Sequence, residues 1–231
     1  MGAEHIDTRL LEELTERSQD LNSDARRITG SALTDFAAAE SASRNDITAL
    51  ESAASLENLL VSVYRSAVAL PFVKNGTKTV AEFFDTTAQQ HQAHAKAFND
   101  AAAKAGGRAQ TQPDETYEAV VTRALPAVKA PADVVRLALY LEDVAARTHT
   151  RNVTRVADTK LRRLFGSVAP VEAQHRATLL AVQSLLASGH ESLIEIPTDA
   201  PRLPAAVGSA AIPEVFQPIA NARPMPEGAL K

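Results

Sequence analysis

The chain has 231 residues, 45% hydrophobic and 23% charged, with a net charge of -4, enough for a substantial core and ordinary for a soluble globular protein. The negative balance removes the electrostatic case for nucleic acid or an anionic membrane as partner, and no apolar run approaches the roughly 20 residues of a membrane span. Cysteine is absent, which excludes disulfides, thiolate catalysis, zinc–thiolate sites and iron–sulfur clusters.

Aromatics are only 4%, Trp is absent, and alanine dominates over β-branched alternation, so an all-α fold is expected. Residues 1–45 form an N-terminal extension. Within it Ile6, Leu10, Leu14, Leu21, Ile28 and Phe36 share one face of an amphipathic helix that Asp7 can cap, although Gly30 interrupts it. Early acidic residues and the lack of an apolar core there show no signal peptide. The compartment is therefore cytoplasmic by default, or exported if a signal segment has been removed.

Residues 46–190 carry four long helical periods. ESASRND, ending at Asp46, reads as a break and a fresh helix start; the first helix then runs to Leu70 and stops at Pro71. The second spans Thr79 to Lys104 and ends at Gly106-Gly107, a helix stop and not a phosphate cradle. A long connection follows, with a short helix around Glu115 to Arg123. The third helix spans Ala132 to Ala157 and the fourth Thr159 to Ala187, closed by Gly189, with Pro170 either kinking it or marking its true start. Short first and third connections favour antiparallel neighbours. One long central crossover is the topology of ferritin-like four-helix bundles. Residues 191–231 are proline-rich and read as an extended arm in which Ile212, Val215 and Phe216 pack or else fray.

Each helix's apolar stripe is interrupted near its middle by an ionisable residue. The stripes are Leu50-Ala53-Glu57-Leu60-Tyr64-Ala67, Val80-Phe84-Thr87-His91-His94-Phe98, Val135-Ala138-Glu142-Ala145-His149-Val153 and Val168-Glu172-His175-Leu179. A buried ionisable group costs several kcal/mol unless paired or metal-bound. Mid-helix positions of an antiparallel bundle meet at one level, so Glu57, His91, His94, Glu142, Glu172 and His175 are expected to converge as metal ligands. Imidazoles with carboxylates and no sulfur suit iron or manganese, with zinc also compatible. Each position also has a bland reading. Glu57 is exposed if the stripe rotates toward Leu56, Leu59 and Val63; QQHQAH is a solvated polar run; Glu142 beside Asp143 marks an exposed edge. His149 reads as a core histidine or a partner of the ligands, and Tyr64 and Tyr140 as core residues.

ASLENLLVSVY, QQHQAHAKAF, LALYLEDVAARTH and VEAQHRATLL resemble the ferritin-like superfamily, in particular its bacterial ferritin-like domain family of non-cage proteins. The resemblance implies a di-metal site built from a Glu on each of two helices and Glu-x-x-His on each of the other two. Glu57, Glu142 and the Glu172/His175 pair match. The second helix departs, with His91 where the family places a carboxylate that typically bridges the metals. One or two ions per chain are therefore expected. Iron oxidation or oxygen-linked redox chemistry is the implied activity. The alternative is a non-enzymatic structural or interaction protein with a vestigial or structural metal site, assembling as a homo-oligomer through the N-terminal helix or the arm.

Overall fold

The computed structural model describes residues 39–76, 78–190 and 213–218. Among them are six α-helices and no strand: α1 (Ala39–Ala69), α2 (Pro71–Lys74), α3 (Lys78–Lys104), α4 (Glu115–Ala124), α5 (Pro131–Arg155) and α6 (Thr159–Ala187). The expected N-terminal helix over 6–36 and most of the proline-rich arm lie outside the described residues. No described helix is long and apolar enough to cross a membrane.

The four long helices form two hairpins, α1 with α3 and α5 with α6, which pack face to face. Leu50 near the start of α1 clusters with Phe98 and Ala102 late in α3, whereas Tyr64 near its end meets Phe84 early in α3. These helices are therefore antiparallel. By the same test α1 opposes α5, since Leu50 shares its cluster with Val156. The end of α3 thus lies far from the start of α5, and the connection must run the length of the bundle.

That crossover is pinned along α1. Arg108 N–H donates to Glu51 Oε1 at 2.7 Å, Asp114 N–H to the Ser55 carbonyl at 3.0 Å, and Asn58 Nδ2 to the Gln110 carbonyl at 2.8 Å. Gly106 has a φ of 86°, the left-handed geometry that ends α3 at low cost for glycine. Asp114 caps α4 by accepting from Thr116 N and Tyr117 N, and Asp158 caps α6 through Lys160 N and Leu161 N.

Two expectations are corrected. The break at ESASRND is absent: α1 runs unbroken from Ala39 through Asp46. Asp46 does not start its own helix; its carboxylate accepts from Ala157 N at 2.8 Å and Asp158 N at 3.0 Å, tying the α5–α6 turn to α1. Pro170 is not the start of α6 but lies inside it. Having no amide hydrogen, it leaves the Gly166 carbonyl without its helical donor.

Two apolar clusters fill the bundle. One holds Leu59, Leu60, Tyr64, Phe84, Leu141 and Leu179; the other holds Leu50, Phe98, Val156, Phe165 and Val168. Between them lies a layer of buried polar side chains. Asp46→Ala should strip two amides of their acceptor and lower stability by about 1–2 kcal/mol, the usual effect of losing a cap or charged hydrogen bond. Denaturant unfolding checks this, and the variant should keep the helical circular dichroism of the parent.

Candidate metal centre

All four mid-helix interruptions point into the bundle. Glu57, His91, His94, Glu142, Glu172 and His175 are each 0% exposed, and His149 joins them. The rotated stripe, the solvated QQHQAH run and the exposed Glu142–Asp143 edge are thereby excluded as readings. Asp143 does face outward, where it pairs with Arg147 at 2.8 Å and Arg176 at 2.7 Å.

His91 occupies the middle. Its Nδ1 is 2.8 Å from Glu57 Oε2 and its Nε2 is 3.1 Å from Glu142 Oε1. The ring stacks on Tyr64 with centroids 5.4 Å apart, and the Tyr64 hydroxyl donates to Glu142 Oε1. His94 Nδ1 lies 2.7 Å from Glu172 Oε1 and 3.4 Å from Glu57 Oε2. His175 Nδ1 lies 3.2 Å from Glu172 Oε2 and 3.6 Å from Glu142 Oε2. His149 Nε2 donates to the outer oxygen of Glu57 at 2.6 Å, its ring packed against both Phe98 and Phe165. It thus contacts Glu57 from the side away from His91 and is absent from the two potential ligand groups below.

Ligand atoms from Glu57, His91, His94 and Glu172 all fall within 4.8 Å of one another, and so do those from His91, Glu142, Glu172 and His175. The groups overlap at His91 and Glu172, which lie on facing helices. Among the described residues, His94 Nδ1, Glu142 Oε2 and Glu172 Oε1 are buried without an aligned hydrogen bond, although His94 Nδ1 and Glu172 Oε1 are in ion-pair contact. Convergent oxygens and imidazole nitrogens, buried and imperfectly matched by hydrogen bonds, fit a divalent cation.

A family model described as ferritin-like domain matches residues 45–184, which is more than half of the chain. The chain belongs to the ferritin-like family. No curated protein matches it. No solved structure matches it either. The matched region of this ferritin-like chain covers most of the four long helices and every residue of the two donor groups.

The electrostatics are those of dense, mutually compensating charge. Burial lowers the tendency of His91 to carry a proton, but the Glu172 and Glu142 charges and its own hydrogen bonds raise its pKa well above 6.5. Burial opposes His94 likewise, and the Glu172 charge and hydrogen bond carry it up to about 10. His175 is also raised, by Glu142 and Glu172 against burial. For Glu57, burial and the Glu172 charge push upward, and hydrogen bonds from His149, His91 and His94 outweigh them, leaving its pKa lowered. Glu172 is held well below 4.5 by His91 and His94 against burial. Burial and the adjacent Glu142 raise Tyr64, so its hydroxyl keeps its proton and remains a donor.

Sequence reasoning missed Gln90 and the backbone contacts of residues 213–218, whereas the expected packing of Phe216 is present. Gln90 is buried, accepts from His175 Nε2 at 2.7 Å and donates to the Pro213 carbonyl at 2.5 Å. Phe216 is half-buried and packs on His94, with ring centroids 5.3 Å apart. Val215 does not pack as expected: its side chain is 36% exposed while its carbonyl accepts from His94 Nε2 at 2.6 Å. Ile212 lies outside the described residues.

The raised imidazoles stabilise the metal-free fold fully below 6.5 and lose that contribution as pH climbs through the folded values, about 10 for His94. The lowered carboxylates act above 4.5 and lose theirs as pH falls. Chelator-treated protein should therefore melt at progressively lower temperature as pH rises from 6.5 toward 10, and His94→Gln should flatten the decline. Calorimetry across that range is the check, and a midpoint that holds steady contradicts the assigned charges.

Proposed function

We propose that this ferritin-like protein binds iron or manganese in the bundle core, with zinc a competing occupant, through Glu57, His91, His94, Glu142, Glu172 and His175. The observation that carries the reading is the pair of overlapping four-donor groups, each wholly buried and drawn from three helices. Glu57 and Glu142 serve as the outer carboxylates, His94 and His175 as the outer imidazoles, and Glu172 reaches both groups with one oxygen toward His94 and the other toward His175. Three carboxylates offset the charge of bound cations, and imidazoles set geometry.

Such a metal would supply one-electron redox chemistry with dioxygen, and Fe(II) oxidation is the activity proposed. The chain's own contributions are exclusion of water by the apolar clusters on either side and retention of protons at defined atoms. Tyr64 holds its proton toward Glu142, and His149 holds one toward Glu57. Both restrict how those carboxylates turn toward a cation.

His91 favours a second reading. Both its nitrogens already face carboxylates, so its imidazolium can act as an internal cation in the position where the family places a bridging carboxylate. A chain built that way binds one ion or none and works as a structural or interaction protein.

Titrating chelator-treated protein anaerobically with Fe(II) and Mn(II) separates the two. Stoichiometric binding, and Fe(II) oxidation faster than the buffer background on admitting air, support the first. A metal held at a hundredfold excess over its Kd adds about 2.7 kcal/mol, or roughly 5–10 °C in a domain of this size. Glu172→Ala and His175→Ala should abolish that shift, whereas Glu191→Ala, past the last residue of α6 in the sequence, should keep it. His91→Glu should raise the stoichiometry toward two. Identical melting with and without metal leaves the second reading standing.

A further inference from the structure

The stretch of chain at 213–218 comes from outside the four helices, yet its backbone reaches the outer edge of the cluster. His94 Nε2 meets the Val215 carbonyl at 2.6 Å, and Gln90 Nε2 meets the Pro213 carbonyl at 2.5 Å. A backbone carbonyl only accepts, so His94 must carry its proton on Nε2, and Gln90 must turn its amide nitrogen to Pro213. The Gln90 oxygen then faces His175 Nε2 at 2.7 Å and can only accept, so His175 carries a proton on Nε2 as well. Both rings are left with Nδ1 directed at Glu172.

The segment is itself fastened. Phe216 stacks obliquely on His94 and joins the apolar cluster of Phe98 and Phe165. Gln217 N–H donates to the Ser167 carbonyl at 2.8 Å, in the turn of α6 that Pro170 interrupts. Pro213 is buried, while Glu214 and Val215 face solvent.

We propose that residues 213–218 are a working part of the metal centre: the Val215 carbonyl directly, and the Pro213 carbonyl through Gln90, hold the outer nitrogens of His94 and His175 so that both rings present Nδ1 to the ion. Gln90 and Phe216 are positioning residues in this scheme, and neither is a ligand. The inference rests on the metal-binding reading above.

Zn(II) is the probe, being diamagnetic and a good imidazole partner. In full-length protein loaded with Zn(II) and carrying ¹⁵N-histidine, His94 and His175 should each show a metal-bound Nδ1 and a protonated Nε2, with the His94 Nε2 proton slow to exchange. Transfer of Zn(II) to a chelator should be about 10–100-fold faster in Gln90→Leu, the usual scale for removing a group that orients a ligand. Phe216→Ala should also speed release, by loosening the segment without touching Gln90. Gln89→Leu, on the exposed face of the same helix turn, should release at the parental rate. Nε2 ligation of both rings, or parental release from both Gln90→Leu and Phe216→Ala, overturns this proposal while leaving the metal centre intact. Failure of the parent to bind Zn(II), Fe(II) or Mn(II) overturns both.

Discussion

Three carboxylates sit buried at one level of the helical core, and the rest of the polar layer is arranged to make that tolerable. Glu57, Glu142 and Glu172 are fully buried, and like charges so placed would take up protons or force the helices apart. Four imidazoles interleave them, and each carboxylate has at least one imidazole nitrogen within 3.2 Å. The compensation is spread over all four long helices, so none can leave without exposing an unpaired charge in the others. A chain with an apolar layer here would be more stable on general grounds. A polar layer in that place is compatible with a metal site, for which the two overlapping donor groups supply the ligand atoms.

The topology follows from the same demand. Residues three apart on one helix, His91 with His94 and Glu172 with His175, share a face and give two donors from one turn. Their helices α3 and α6 must then oppose each other, and α1 and α5 supply single carboxylates from the remaining faces. The long crossover brings α5 back to run antiparallel to α1. It is held on α1 by hydrogen bonds to Glu51, Ser55 and Asn58, so the polar layer keeps its register although the connection is long.

How legible this was in the sequence depended on whether a residue type betrayed its role. Glu57, His91, His94, Glu142, Glu172 and His175 could be found because a charge inside an apolar helical stripe demands an explanation, and four such stripes coincide. The helix ends at Gly106 and Gly189 were readable because both need a positive φ. Asp46 misled for a definite reason: an aspartate after Arg-Asn has the chemistry of a cap, but here it caps a turn more than a hundred residues away. Pro170 was ambiguous because packing on both sides of it, at Val168, Val171 and Glu172, keeps the helix going through a residue that breaks isolated ones.

The backbone link of residues 213–218 to the cluster was invisible for a deeper reason. Its contacts with His94 and Gln90 run through carbonyls that every residue possesses, so no side-chain pattern marks them. Only Phe216 carries a signal, as an aromatic in a proline-rich stretch. Gln90 was hidden differently, lying beside His91 in a run of glutamines and histidines where the helical period alone separates it from exposed Gln89 and Gln92. Proline suits such a segment because rigid, donor-poor backbone arrives with its carbonyls free to accept. On the proposed reading, the outer nitrogens of the histidines need acceptors whose protonation state stays fixed when the inner nitrogens exchange a proton for a cation. A carboxylate in that position would add a fourth negative charge to the layer, whereas a carbonyl adds none.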